Sequence, residues 1–88
     1  MNKYIVEFVG TMFFVYVILA TGNALAIGAA LTLAILLGGP VSGGAFNPAV
    51  ALALVASGKL PNSDLVPYVL AEAAGALAAY QLHKNSIF

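Results

Sequence analysis

Three long apolar runs, nearly free of charge, decide which solvent this chain can fold in. Residues 4–21 carry one charge, Glu7; residues 24–41 carry none; residues 65–82 carry one, Glu72. A helix needs about 20 mostly apolar residues to cross a hydrocarbon core about 30 Å thick, with a working range near 17–25. Each run meets that length. The remainder of the chain supplies no compensating polar shell: of 88 residues, 62% are hydrophobic and 7% charged, whereas about a quarter of an ordinary globular sequence is charged. Three acids and three bases cannot cover a 9 kDa globule. A soluble enzyme and a nucleic-acid binder with a basic face are excluded, and the absence of cysteine excludes a disulfide-stapled secreted domain. The composition leaves a membrane protein, and three runs of helix-spanning length make the expected class all-α.

Between the second and third runs lies a shorter apolar stretch, residues 47–57, also without charge. Its 11 residues would span about 16 Å as a helix, half a bilayer. It is either a surface helix or a re-entrant one. The punctuation fits this division. Thr21-Gly22-Asn23 reads as a tight turn, making the first two spans antiparallel neighbours. Gly38-Gly39-Pro40 is expected to end the second span. Residues 57–64 form the polar loop, with Ser63 or Asp64 expected to cap the third span and Pro67 tolerated in its first turn. Lys3 precedes an apolar run that leads straight into another span, so the N-terminus does not read as a secretory signal peptide. No internal repeat is evident. Residues 1–88 read as one domain, with spans at about 4–21, 24–41 and 65–82 and a re-entrant loop and half-helix at about 42–57. Small residues recur at helical spacing: Ala26, Ala30, Ala34 and Gly38; Ala49, Ala53 and Ser57; Ala71, Gly75 and Ala79. Such rows let helix backbones approach in lipid, so all three are expected at packing faces.

The chemistry concentrates in Ser42-Gly43-Gly44-Ala45-Phe46-Asn47-Pro48-Ala49-Val50. Asn47 is a good N-cap and Pro48 suits the first helical position, so a helix starts here. A surface helix would be amphipathic, with charges on one side; residues 47–57 have none, which favours the re-entrant reading. Non-helical backbone within a bilayer survives only where protein or a water-filled cavity satisfies its polar groups. A half-helix starting at mid-membrane aims its positive end and a side-chain amide at that cavity. This is how a pore lining is built.

These residues resemble the aquaporin and glycerol-facilitator family. The stretch from Ser42 to Val50 is similar to the family's first-half signature, Ser-Gly-(Gly/Ala)-x-x-Asn-Pro-Ala-Val. Glu7-Phe8-Val9-Gly10-Thr11 resembles the opening of its first span. Val66-Pro67-Tyr68 and Ala71-Glu72-Ala73-Ala74-Gly75-Ala76 resemble the start of its third. The resemblance covers essentially the whole chain, and it implies a channel for water and small neutral solutes such as glycerol, with no catalysis, cofactor or metal. In that role the Asn47 amide donates to passing water while Gly43, Gly44 and Ala45 carbonyls accept, with Pro48 and Ala49 completing the motif. Matched by distance from Asn47, the selectivity positions are Ile27, Ile35 and Val50, with Gly44 from the loop. The family's filter arginine has no counterpart, since the chain contains no arginine; a more apolar filter with one positive barrier fewer is expected.

The resemblance also implies that Glu7 accepts hydrogen bonds from the re-entrant loop and holds it in place. Glu72 stands where the family usually has glutamine. The sequence leaves it open between a protonated acid and an acceptor for a loop or neighbouring subunit. Tyr4, Tyr68 and Tyr80 sit near span ends, where interfacial anchoring suffices, and His83 beside Lys84 reads as a headgroup-level residue. Family members carry two inverted halves, and this chain corresponds to one. The expected repair is an antiparallel homodimer, with Asn47 of each copy facing the other across a two-fold axis in the membrane plane. Four such pores per assembly are implied by resemblance alone. With the N-terminus inside, Lys3 and Lys59 lie inside and Lys84 outside, a bias weak enough for insertion both ways. The rival expectations are a non-conducting subunit that pairs with another aquaporin half, and a dual-topology proton-coupled transporter. The expected partners are thus the lipid bilayer, a second copy and small neutral solutes, with no nucleic acid.

Overall fold

A computed structural model describes residues 2–85. Four helices follow in order: α1 (Lys3–Thr21), α2 (Ala24–Ser42), the short α3 (Pro48–Ala56) and α4 (Leu65–Lys84), the last preceded by a 3-10 turn, Asn62–Asp64. The described residues contain no strand. The 39 Å long axis compares with about 40–45 Å for a bilayer including its headgroups. The three long helices are each apolar and long enough to cross a membrane. At about 1.5 Å per residue, α3 with its nine residues is less than half as long as α4.

Asparagines start three of the helices. The Asn2 side chain accepts from the Tyr4 and Ile5 amides, Asn23 from Ala26 and Asn47 from Ala49, each satisfying an orphan donor of the first turn. The fourth start departs from the expected cap. Asp64 occupies the cap position of α4 without a side-chain bond to the helix. Its carboxylate instead accepts from Lys3 Nζ at 2.7 Å and the Tyr4 hydroxyl at 2.8 Å, where an ammonium ion competes successfully with a backbone amide. Ser63 makes no cap either, being within the 3-10 turn.

The second helix also ends later than Gly38-Gly39-Pro40 suggests. Pro40 lies inside α2, which continues to Ser42. So near the C-terminus a proline removes one helical bond without stopping the chain. The stop comes from Gly43, whose left-handed φ of 88° turns its N–H back onto the Gly39 carbonyl at 2.8 Å.

Packing centres on α1, which lies between α2 and α4. The T-shaped pairs Tyr4–Tyr68 and Tyr16–His83 mark a parallel α1–α4 register. Gly75 makes the close approach possible: a Cβ there would come 2.5 Å from the Phe8 carbonyl oxygen. On α2 the row Ala30, Ala34, Gly38 and Ser42 is buried, and on α4 Tyr68, Glu72, Gly75 and Ala79 are buried. Two of the three expected small-residue rows therefore reach packing faces, although Ala26 and Ala71 are only half-buried. The third does not. Ala49, Ala53 and Ser57 are exposed, and Ala51 is the buried residue of α3, because Tyr68 and Ala45 form the small core beneath it. Large apolar side chains cover the outside, including Leu25, Leu36, Leu37, Val66, Leu70 and Leu77, as lipid or another membrane helix requires.

Candidate functional site

The site is the loop 42–47 and the start of α3. Its backbone turns three times into left-handed space, at Gly43 (φ 88°), Gly44 (φ 70°) and Phe46 (φ 53°). Glycine adopts that region freely, but phenylalanine resists it. Packing holds Phe46 there: the side chain is buried, with its ring wedged between Gly10 of α1 and Gly38 of α2. A Cβ at Gly38 would stand 2.9 Å from that ring. Phe46 is thus a site residue that motif reasoning missed; the signal was the pairing of two helical glycines with a bulky loop residue.

Glu7 braces this loop from α1. It is completely buried. Oε1 accepts from the Phe46 amide at 2.8 Å, and Oε2 accepts from Ser42 Oγ at 2.7 Å and from the Ala45 amide at 3.3 Å. Ser42 Oγ in turn accepts from the Gly44 amide at 3.2 Å. A second tie comes from α4. Tyr68, expected at the membrane interface, is fully buried and donates its hydroxyl to the Ser42 carbonyl at 2.6 Å. Its position three residues into α4 suggested an anchor, but the parallel packing on Tyr4 turns it inward. Tyr4 likewise spends its hydroxyl on Asp64, while Tyr80 is exposed.

These braces dictate what the loop presents. Asn47 is extended (φ −160°) and exposed. Its Oδ1 accepts from the Ala49 amide at 2.7 Å, and its amide nitrogen donates to no group among the described residues. The carbonyls of Gly43, Gly44 and Ala45 accept no hydrogen bond among the described residues. Gly43 and Asn47 are exposed while Gly44 and Ala45 are buried, so the loop presents a donor at a helix N-terminus and, in the chain just before it, carbonyls without a partner among the described residues. Pro48, Ala49 and Val50 are exposed on the first turn of α3. Of the expected filter positions, Ile35 meets the loop: both its Cγ atoms lie within 3.6 Å of a Cβ built at Gly44. Ile27 is half-buried further along α2. Among the described residues no cluster of His, Cys, Asp and Glu suits a metal ion.

An apolar groove of about 330 Å³ runs between α1 and α2, lined by Val9, Phe13, Leu33 and Leu37 among others, with Phe46 at one end. A second apolar hollow lies between α3 and α4, against Pro48, Leu52 and Val69.

The sequence profile of the Major intrinsic protein family matches residues 18–87. The chain is 40% identical to "Glycerol uptake facilitator protein-like 6" of Lactiplantibacillus plantarum, over 99% of this chain and 44% of that protein. It is 44% identical to "Aquaporin Z" of Brucella melitensis, over 90% of this chain and 41% of the relative. With "Aquaglyceroporin AqpS" of Rhizobium meliloti the identity is 45%, over 68% and 26%. No solved structure matches the chain. The chain therefore spans less than half the length of the curated relatives it matches. Three helices able to cross a bilayer and this match over most of the sequence lead to one conclusion: the chain is an integral membrane protein and belongs to the major intrinsic protein family.

Proposed function

We propose that the chain forms half of a membrane channel for water and small neutral solutes, glycerol among them, with residues 42–57 re-entering the membrane and Asn47 at the channel's midpoint. The observation that carries this reading is the Asn47 side chain. Its oxygen is committed to the helix start and its amide belongs to an exposed residue, next in sequence to three carbonyls that accept no hydrogen bond among the described residues. Water in single file needs a donor and then acceptors, and this stretch offers them in sequence. The positive end of α3 opposes cations at the same point. Names borne by the relatives, a glycerol facilitator and an aquaporin, support the permeant class. Ile27, Ile35 and Val50 line the selectivity region with Gly44; without arginine or aromatic rings, that region admits solutes larger than water.

The complementary half comes from a second copy inserted in the opposite direction. Lys3 and Lys59 against Lys84 give little preference for one orientation, and antiparallel pairing sets the two Asn47 amides and the two α3 starts face to face. Four pairs per assembly would follow the family pattern. Vesicles containing only this chain test the proposal. Rapid osmotic shrinkage without proton leak, abolished by Asn47→Asp, is the expected result. Flux no faster than in empty vesicles, with paired chains confirmed, refutes the self-sufficient pore. Single cysteines labelled from each side should report both orientations; a uniform orientation refutes the antiparallel pair.

A further inference from the structure

The mechanism above leaves one buried acid unused. Glu72 is 1% exposed, and neither carboxyl oxygen has a hydrogen-bond partner among the described residues. Its neighbours follow from the parallel packing of α1 and α4. With Tyr4 on Tyr68 and Tyr16 on His83, and Gly75 against Phe8, Thr11 and Met12, residue 72 falls beside residue 7. The Glu72 carboxyl is thus near enough to that of Glu7 and to the Asn47 backbone N–H to interact electrostatically with both, without a hydrogen bond to either. Lys3, the nearest cation in α1, is spent on Asp64 at 2.7 Å. The other titratable groups in the cluster are Tyr4, Tyr68 and the Lys3-paired Asp64, and none of them supplies a positive charge.

Two adjacent carboxylates in an apolar, cation-free setting cannot both be ionised. The hydrogen bonds decide which one keeps the charge. Three donors converge on Glu7, and they stabilise an anion. Its Oε2 takes two of them and its Oε1 takes one. Each carboxylate oxygen offers about two acceptor positions, so one position on Oε1 is open. Glu72, with no bonded donor, is the acid that holds a proton.

We propose that Glu72 is a neutral carboxylic acid at physiological pH, and that a small side-chain rotation, which satisfies the two oxygens left without a partner, lets its O–H donate to the open position on Glu7 Oε1 and its carbonyl oxygen accept from the Asn47 N–H. Glu72 is then a positioning residue. It extends the brace from Ser42, Ala45 and Phe46 to Asn47, the residue on which the proposed channel turns. The positional role rests on the channel reading; the proton does not.

Infrared spectroscopy of the full chain in lipid vesicles at neutral pH tests the proton directly. The chain has three side-chain acids, and Asp64 is ionised by its pairing with Lys3. A protonated-carboxyl C=O band present in the native chain and lost in Glu72→Gln is the expected result. A native chain without the band, or a band that survives Glu72→Gln, overturns the proposal. For the positional role, Glu72→Gln keeps one donor and one acceptor and should hold water permeability within about twofold, whereas Glu72→Leu should lower it about tenfold, as losing a buried hydrogen bond implies. Faster amide exchange at Asn47 in Glu72→Leu, with helix content retained, is the matching expectation. Unchanged exchange there overturns the positional role. A band without any water flux would uphold the neutral acid and refute the channel reading instead.

Discussion

Replacing Glu7 by glutamine keeps the shape of the side chain and removes one acceptor. In the native chain one oxygen serves the Phe46 amide at 2.8 Å and the other serves Ser42 Oγ at 2.7 Å and the Ala45 amide at 3.3 Å. A glutamine can serve only one of these sets. The orientation that loses least keeps its oxygen on the Phe46 amide and turns its NH2 to Ser42 Oγ, whose hydroxyl then donates to the Gly38 carbonyl at 3.3 Å, leaving the Ala45 amide facing the NH2, donor against donor. Hydrogen bonds to a charged group contribute about 1.5–3 kcal/mol each, and an unpaired buried donor costs a comparable amount. The loss of the Ala45 bond, with that buried amide left unpaired, and the neutralised contacts to Phe46 and Ser42 together come to about 2–3 kcal/mol. Since each 1.36 kcal/mol is tenfold, the ratio of braced to released loop falls about 30- to 150-fold. Phe46 has a second reason to move, because its φ of 53° is tolerated only while the loop is held. Backbone amide exchange, followed residue by residue in membrane-mimetic micelles, reads this ratio. Protection at Ala45 and Phe46 should fall by that factor while residues inside α1 and α4 keep theirs. Unchanged protection at both amides would refute the claim that Glu7 holds the loop.

Three further expectations follow from the same packing. Gly10→Val drives a branched side chain into the Phe46 ring; overpacking of this kind costs about 1–3 kcal/mol, read as a lower thermal midpoint with the apolar helices still formed. Tyr68→Phe leaves the Ser42 carbonyl without its 2.6 Å donor and should destabilise by about 1–2 kcal/mol in detergent unfolding, with a volume change too small to disturb the Tyr4 contact; an unaltered unfolding curve counts against the second tie. Asp64→Asn removes the ion pair to Lys3 and weakens the bond to Tyr4, so the α4 start should exchange its amides faster.

What the sequence disclosed and what it concealed separate along one line. Helix positions follow from apolar length and from Asn, Gly and Pro signals that act within a few residues, which is why α1, α2 and α4 could be placed before any contact was known. Glu7 and residues 42–50 could be singled out because their residue types are out of place in an apolar chain, and a resemblance to a known family supplied a role. Features that need a partner distant in sequence were hidden. Asp64 has the form of a helix cap, and only the parallel return of α4 beside α1 brings Lys3 and Tyr4 close enough to claim it. Tyr68 has the position of an interfacial anchor, and the same return buries it over Ser42. Phe46 is an unremarkable motif letter until Gly10 and Gly38 converge on it from two helices. The first two reassignments share a cause, the packing of α4 against α1 in register, and the third comes from the packing of α1 against α2, so the ends of the helices and the loop meet at one place. The strained loop is therefore held by tertiary contacts and not by its own sequence. It follows that substitutions on α1 and α4, tens of residues from Asn47 in sequence, should disturb the site more than conservative changes at the neighbouring exposed positions Ala49 and Val50.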